Sequence, residues 1–139
     1  MENIPLQVGV KVLLKNKEGK YLLLRRSLEK YPEVGKDRWD IVGGRITPGT
    51  PLLENLRREV REETGLEITG IPRLIFAQDI LDTRHIVRLT FLGEADGEIA
   101  LDGESDKYSW FSMEEMDAIS GSINKYFREI LSKKIIHDA

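Results

Sequence analysis

Three glutamates in the segment Arg57–Leu66 have the types and spacing to work together: Glu59, Glu62 and Glu63. On a helix turning about 100° per residue they share an arc of about 100°. Glu59 and Glu63 are one turn apart, and Glu62 lies beside them. Carboxylates held that close raise one another's pKa, and a bound divalent cation is the usual relief. Hard oxygen donors favour Mg²⁺ or Mn²⁺. The plainer alternative is a solvated acidic face paired with Arg57, Arg58 and Arg61. Other nucleophiles are scarce. The chain has no cysteine, and its two histidines, His85 and His137, stand apart from any serine relay. If a metal is held, water directed by it is the simplest attacking group.

The elements that must position these acids follow from periodicity. Apolar residues alternate at Leu6, Val8, Val10, Val12 and Leu14, which predicts a half-buried strand. Asn16–Lys20 reads as a turn and Tyr21–Arg26 as the returning strand of a β-hairpin. Ser27–Arg38 is polar, carries Pro32 and Gly35, and reads as a loop; Trp39–Val42 is a short strand ending on Gly43-Gly44. A helix then runs from Thr50 as N-cap, with Pro51 in its first turn, to Gly65, with Leu52, Leu53, Leu56 and Val60 as its apolar stripe. Leu74–Ile80 and His85–Glu94 predict two strands joined at Asp82-Thr83, and Lys107–Phe111 another after the polar loop Asp102–Ser105. Ser112-Met113-Glu114-Glu115 has capping-box spacing for a short helix. Ile123, Tyr126, Phe127, Ile130 and Leu131 mark the buried stripe of a last helix. A mixed sheet covered on both sides, an α/β/α sandwich, accommodates that element order.

Composition narrows the classes. At 139 residues, 40% apolar and 32% charged, the chain suits one globular domain spanning 1–139. A net charge of -3 argues against a nucleic-acid or anionic-membrane binder, though a few local arginines could meet a small anion. No apolar run is long enough to cross a membrane, the N-terminus lacks the pattern of a signal peptide, and repeats are absent. The absence of cysteine fits a cytoplasmic protein.

The run Gly44–Leu66, GRITPGTPLLENLRREVREETGL, resembles the Nudix box, G-x5-E-x7-R-E-U-x-E-E-x-G-U, where U is a bulky aliphatic residue. Gly44, Arg58, Glu59, Val60, Glu62, Glu63, Gly65 and Leu66 match, eight of the nine defined positions over 23 residues. Trp39–Gly44 and the element order resemble the same family, which implies the Nudix fold. Two positions depart from its pattern: Thr50 stands where the box has a glutamate, and Val42 stands where proline is common before the glycine pair.

The resemblance implies a Mg²⁺-dependent hydrolase that cuts a phosphoanhydride in a nucleoside diphosphate derivative. It implies that Glu59 and Glu63 bind metal directly, that Glu62 shares a further ion, and that the Gly43 carbonyl joins the coordination. Arg58 would orient the carboxylates. A fourth carboxylate, from a loop ahead of a Trp-containing strand, would be Glu104, with Asp106 as runner-up, acting as base or metal ligand. For phosphate contacts the candidates are Arg25, Arg26 and Arg45; adjacent strand residues point oppositely, so at most one of Arg25 and Arg26 faces the site. Base recognition is expected in the Ser27–Arg38 loop and around Asn124. The expected partner is a small nucleotide, a nucleoside triphosphate or nucleotide sugar, with a homodimer as an assembly to be tested. Thr50 keeps open a second class, a weakly active or inactive Nudix module that senses a nucleotide. A third, an interaction-only domain, would need an exposed apolar patch.

Overall fold

The alternating residues of Leu6–Lys15 form β1, the strand around which the sheet is built. A computed structural model describes residues 4–136, so His137 lies outside the described part. The further strands are β2 (Tyr21–Arg26), β3 (Trp39–Asp40), β4 (Val42–Arg45), β5 (Thr69–Leu81), β6 (His85–Glu94) and β7 (Ser105–Phe111). The helices are α1 (Leu52–Thr64), α2 (Met113–Ala118) and α3 (Lys125–Ser132). The sheet runs β3-β2-β1-β6-β5, with β4 added to β1 and β7 to β2. It is mixed: β1 pairs parallel with β6 along its whole length and antiparallel with β4.

Two corrections concern β1. The expected hairpin with β2 closes only at Lys15↔Tyr21, because β4 takes the rest of that edge of β1 and β3 pairs with Leu24 and Arg25 of β2. Nor is β1 half-buried in the simple sense, since both faces are covered where it crosses the middle of the sheet. Val10, Val12 and Leu14 join Leu22, Leu24 and Val42 beneath α1, which contributes Leu56 and Val60. On the opposite face Leu13, Tyr21 and Leu23 pack with Phe127, Ile130 and Leu131 of α3 and Met116 of α2. The α/β/α sandwich is thus two apolar layers on one mixed sheet. Leu6, one of the alternating residues, is exposed beyond both.

The capping box of α2 forms as its spacing predicts, with reciprocal bonds between Ser112 and Glu115. The start of α1 does not. Its N-cap position is Pro51 and no side chain caps it; Thr50 makes no cap, and Leu52 is exposed rather than part of the stripe. Among the described residues, no helix is long and apolar enough to cross a membrane. β5 leaves Ile71, Leu74 and Leu81 exposed at the sheet edge, where Pro72 and Arg73 interrupt the apolar sequence.

Candidate active site

Two glycines bring the α1 carboxylates against the backbone. Gly43 has φ 141°, and a Cβ there would lie 2.1 Å from the Val10 carbonyl oxygen, so a side chain is excluded. A Cβ on Gly44 would meet the Glu59 carboxylate at 2.9 Å. The turn therefore lies flat between β1 and α1. The Gly43 N–H donates to Glu63 Oε2 at 3.1 Å, and the Glu63 carboxyl in turn bonds the Glu59 side chain. Burial pushes Glu63 up to about 8, with Glu59 adding repulsion and Lys11 and the Gly43 N–H pulling the other way. Glu59 is raised too, by burial first and by Glu62 second. Desolvation, more than crowding of like charges, is what makes these acids reluctant to ionise. Glu62 stands apart: its side chain is 59% exposed and meets Arg58 Nε at 3.6 Å.

Arg58 is set beside the carboxylates, 3.6 Å from Glu59, and is itself held by Asn55 Oδ1 at 3.0 Å and Thr47 Oγ1 at 3.3 Å. Asn55, fully buried, also accepts from the Thr47 N–H and donates to the Arg45 carbonyl. It ties the loop before α1 to the helix. Sequence reasoning left Asn55 unnoticed, and its place inside an amphipathic helix on the buried side was the available signal.

The remaining expected residues separate. Arg26 lines the cleft and lies over the Tyr31 ring at 4.6 Å. Arg25 turns away and pairs with Asp106 at 2.7 Å, as does Arg38 at 2.6 Å. These bonds, Arg25's above all, hold the Asp106 carboxyl below its usual range, which leaves that residue occupied. Glu104 bonds the Tyr31 side chain, and its backbone carbonyl accepts from the Ser27 N–H. That sets it beside Tyr31 and Ser27 rather than within the glutamate pair. Arg45 is exposed and borders the cleft. Val42 is fully buried and pairs with Val12, so the turn is anchored as a strand. His85 bonds Asp79 at 2.7 Å on β5.

A charged network on the α3 side was missed. Lys11 Nζ donates to the carbonyls of Ile41 at 3.3 Å and Gly43 at 3.4 Å and lies 3.6 Å from Asp40. Arg88 donates to Asp40 Oδ1 at 3.1 Å and to Asn124 Oδ1 at 3.3 Å. Burial lowers the Lys11 pKa despite Asp40. For Asp40 burial opposes ionisation, but Lys11, Arg88 and the Ile41 N–H outweigh it and hold the carboxyl low. The signal was present as charged residues interrupting apolar strands, Lys11 between Val10 and Val12 and Arg88 between Val87 and Leu89. The cleft that these groups border has a volume of about 310 Å³ and reaches Gly43, Gly44 and Arg26.

Glu59 and Glu63 fit a divalent cation, being hard oxygen donors whose proton a cation can replace. The Gly43 carbonyl is engaged by Lys11, and Glu62 would have to leave Arg58 to join them. Among the described residues no group of three acids is gathered closely enough to hold a metal as they stand.

Comparison with known proteins places this arrangement. The NUDIX domain family model matches residues 5–131. Nucleoside triphosphatase NudI of Escherichia coli (strain K12) is 33% identical over 111 residues, covering 71% of this chain and 77% of the relative. The NudI of Klebsiella pneumoniae (strain 342) is 30% identical over 129 residues, covering 84% and 89%. Among solved structures, the MutT protein from Methanosarcina mazei Go1 superposes with a TM-score of 0.77 at 29% identity over 96% of this chain and 95% of the other. The MutT NUDIX hydrolase from Burkholderia pseudomallei, at 22% identity, shares the fold with a TM-score of 0.75 over 91% and 96%.

Proposed function

This chain belongs to the Nudix hydrolase family, and from that premise we propose that it is a Mg²⁺-dependent hydrolase of a nucleoside triphosphate or a related nucleoside diphosphate derivative. The observation that carries the reading is the Glu59–Glu63 pair, side by side under the Gly43-Gly44 turn with raised proton affinity. The relatives named as nucleoside triphosphatases favour a nucleotide. When bound, a divalent cation would neutralise phosphate charge and make water more acidic.

The chain's own groups supply the rest. Glu59 and Glu63 offer the hard oxygens; Glu62, once released from Arg58, and the Gly43 carbonyl, once released from Lys11, would be the further donors. Arg58, fixed by Asn55, keeps the carboxylates in place. Arg26 and Arg45 border the cleft as phosphate contacts, and Arg26 is oriented by Tyr31. Glu104 is the proposed acceptor of the proton lost by the attacking water, a role it reaches only by turning from its bond with Tyr31 toward the glutamate pair. The new bond joins water oxygen to phosphorus, and the bridging P–O bond breaks to release the other phosphate. One domain, 1–139, carries the whole site, and the proposed location is the cytoplasm.

The test is incubation of the purified protein with Mg²⁺ and a nucleotide panel, with products identified by mass. A nucleotide-binding module without turnover is the second reading, and the dispersed acids favour it. Metal-dependent binding with no product from any nucleotide would select it.

A further inference from the structure

Both polar backbone groups of Gly43 are taken, one by an acid and one by a cation. Its N–H donates to Glu63 Oε2, and its carbonyl accepts from Lys11 Nζ at 3.4 Å. Lys11 stands directly across from Gly43 in the β1–β4 register. The lysine stem lies along the glycine backbone, so that an added Cβ would come 3.0 Å from Lys11 Cδ. Its side chain is 12% exposed, and the ammonium also donates to the Ile41 carbonyl at 3.3 Å. Lys11, Arg26, Asp40 and Glu63 line one chamber of about 10 Å³, the space of about a single water.

The charges around that chamber do not balance in pairs. Asp40 is the partner of two cations, Arg88 at 3.1 Å and Lys11 at 3.6 Å. One carboxylate cannot neutralise both, so positive charge is left over beside Glu63, and Arg26 adds to it. Lys11 and Glu63 act on each other across the chamber: the ammonium favours the ionised carboxyl, and the carboxyl favours the ammonium. The lysine thus already gives Glu63 and the Gly43 carbonyl what a divalent cation would give them, with one charge in place of two. A cation brought to the same oxygens meets like charge at close range and has to displace Lys11 from the carbonyl.

We propose that Lys11 is a positioning residue of the metal site: a tethered cation that competes with a divalent ion for the Gly43 carbonyl and for Glu63, and so holds down this chain's affinity for Mg²⁺ and Mn²⁺. The inference rests on the metal-binding reading above.

The experiment titrates Mn²⁺ and Mg²⁺, each alone, into the wild type, Lys11→Met and Lys11→Gln by calorimetry at one pH. Met keeps an unbranched stem against Gly43 and removes the ammonium. Gln keeps a donor for the carbonyl and removes the charge, and it is the polar alternative should Met fail to fold beside Asp40. Both variants should bind the cation about 10-fold or more tightly than the wild type. Their metal-free melting temperatures should fall, because Asp40 loses a partner, so the tighter binding would belong to the less stable protein. A lysine with only a structural role predicts falling stability with unchanged or weaker affinity. That result in the variants, with metal bound by the wild type, overturns this inference alone. Binding by the variants and not by the wild type sustains it and selects the nucleotide-binding module as the reading of the wild type. Binding by none of the three overturns it together with the metal-dependent reading.

Discussion

Glu63 is shut away from water and bonded both to the Gly43 N–H and to Glu59. Folded, it keeps its proton to about pH 8, against an ordinary value of 4.5. Between those values the folded protein binds the extra proton, so stability is full below about 4.5 and is lost as pH rises toward 8. Metal-free protein should therefore melt at progressively lower temperature from pH 5 to 8, and Glu63→Gln should flatten that slope; a parallel slope in the variant would show that another group sets it. In turnover, Glu59→Gln and Glu63→Gln should each cost about 100-fold or more, because neither is needed to fill the core. Activity within a few-fold of wild type would remove the site assignment. Position 50 reads differently once the helix start is seen. Thr50 makes no cap, so Thr50→Ala should scarcely change the melting temperature, whereas Asn55→Ala should cost about 1–3 kcal/mol by stranding the buried groups it holds. A denaturant titration of the two variants separates these outcomes.

Among the elements, the β4 turn is where backbone constraint and chemistry meet. Gly43→Ala places a Cβ against the Val10 carbonyl at a φ that side chains avoid, so it should disrupt the β1–β4 pairing and lower the melting temperature sharply. A variant melting like wild type would mean that the turn can re-form elsewhere. The order of strands and helices was legible because periodicity and turn chemistry are local, except that the single strand expected at Trp39–Val42 is split into β3 and β4, which pair with different neighbours. The partners of each strand were not, since pairing β1 with β4 and β6 depends on which edges remain open after the chain has doubled back. The same divide runs through the site. Glu59 and Glu63 could be found from their spacing on one helix, while Lys11, Asp40, Arg88 and Asn124 come from separate strands and a cap, and only the sheet register unites them. Arg25 and Arg26 show the middle case: alternation said that one must turn away, and Asp106 identifies which.

At the scale of the whole molecule, a chain of net charge -3 concentrates Lys11, Arg26, Arg45 and Arg88 around one cleft that reaches the Gly43-Gly44 turn, the same turn against which Glu59 and Glu63 pack. That set of charges suits a polyphosphate, whose charge can be shared between guanidinium groups and cations. A cation that displaces the Glu63 proton binds only the folded state, so Mg²⁺ should raise the melting temperature more at pH 8 than at pH 5. If this cleft directs water onto phosphorus with the α1 carboxylates holding metal, turnover needs the cation and passes through no covalent enzyme intermediate. The most direct measurement is hydrolysis in ¹⁸O-labelled water with Mg²⁺, with chelator, and with Mg²⁺ restored. Turnover should stop with chelator and return with Mg²⁺, with the label in one phosphate-bearing product and no phosphoryl-enzyme. Chelator-resistant turnover, or a trapped phosphoryl-enzyme, would contradict it.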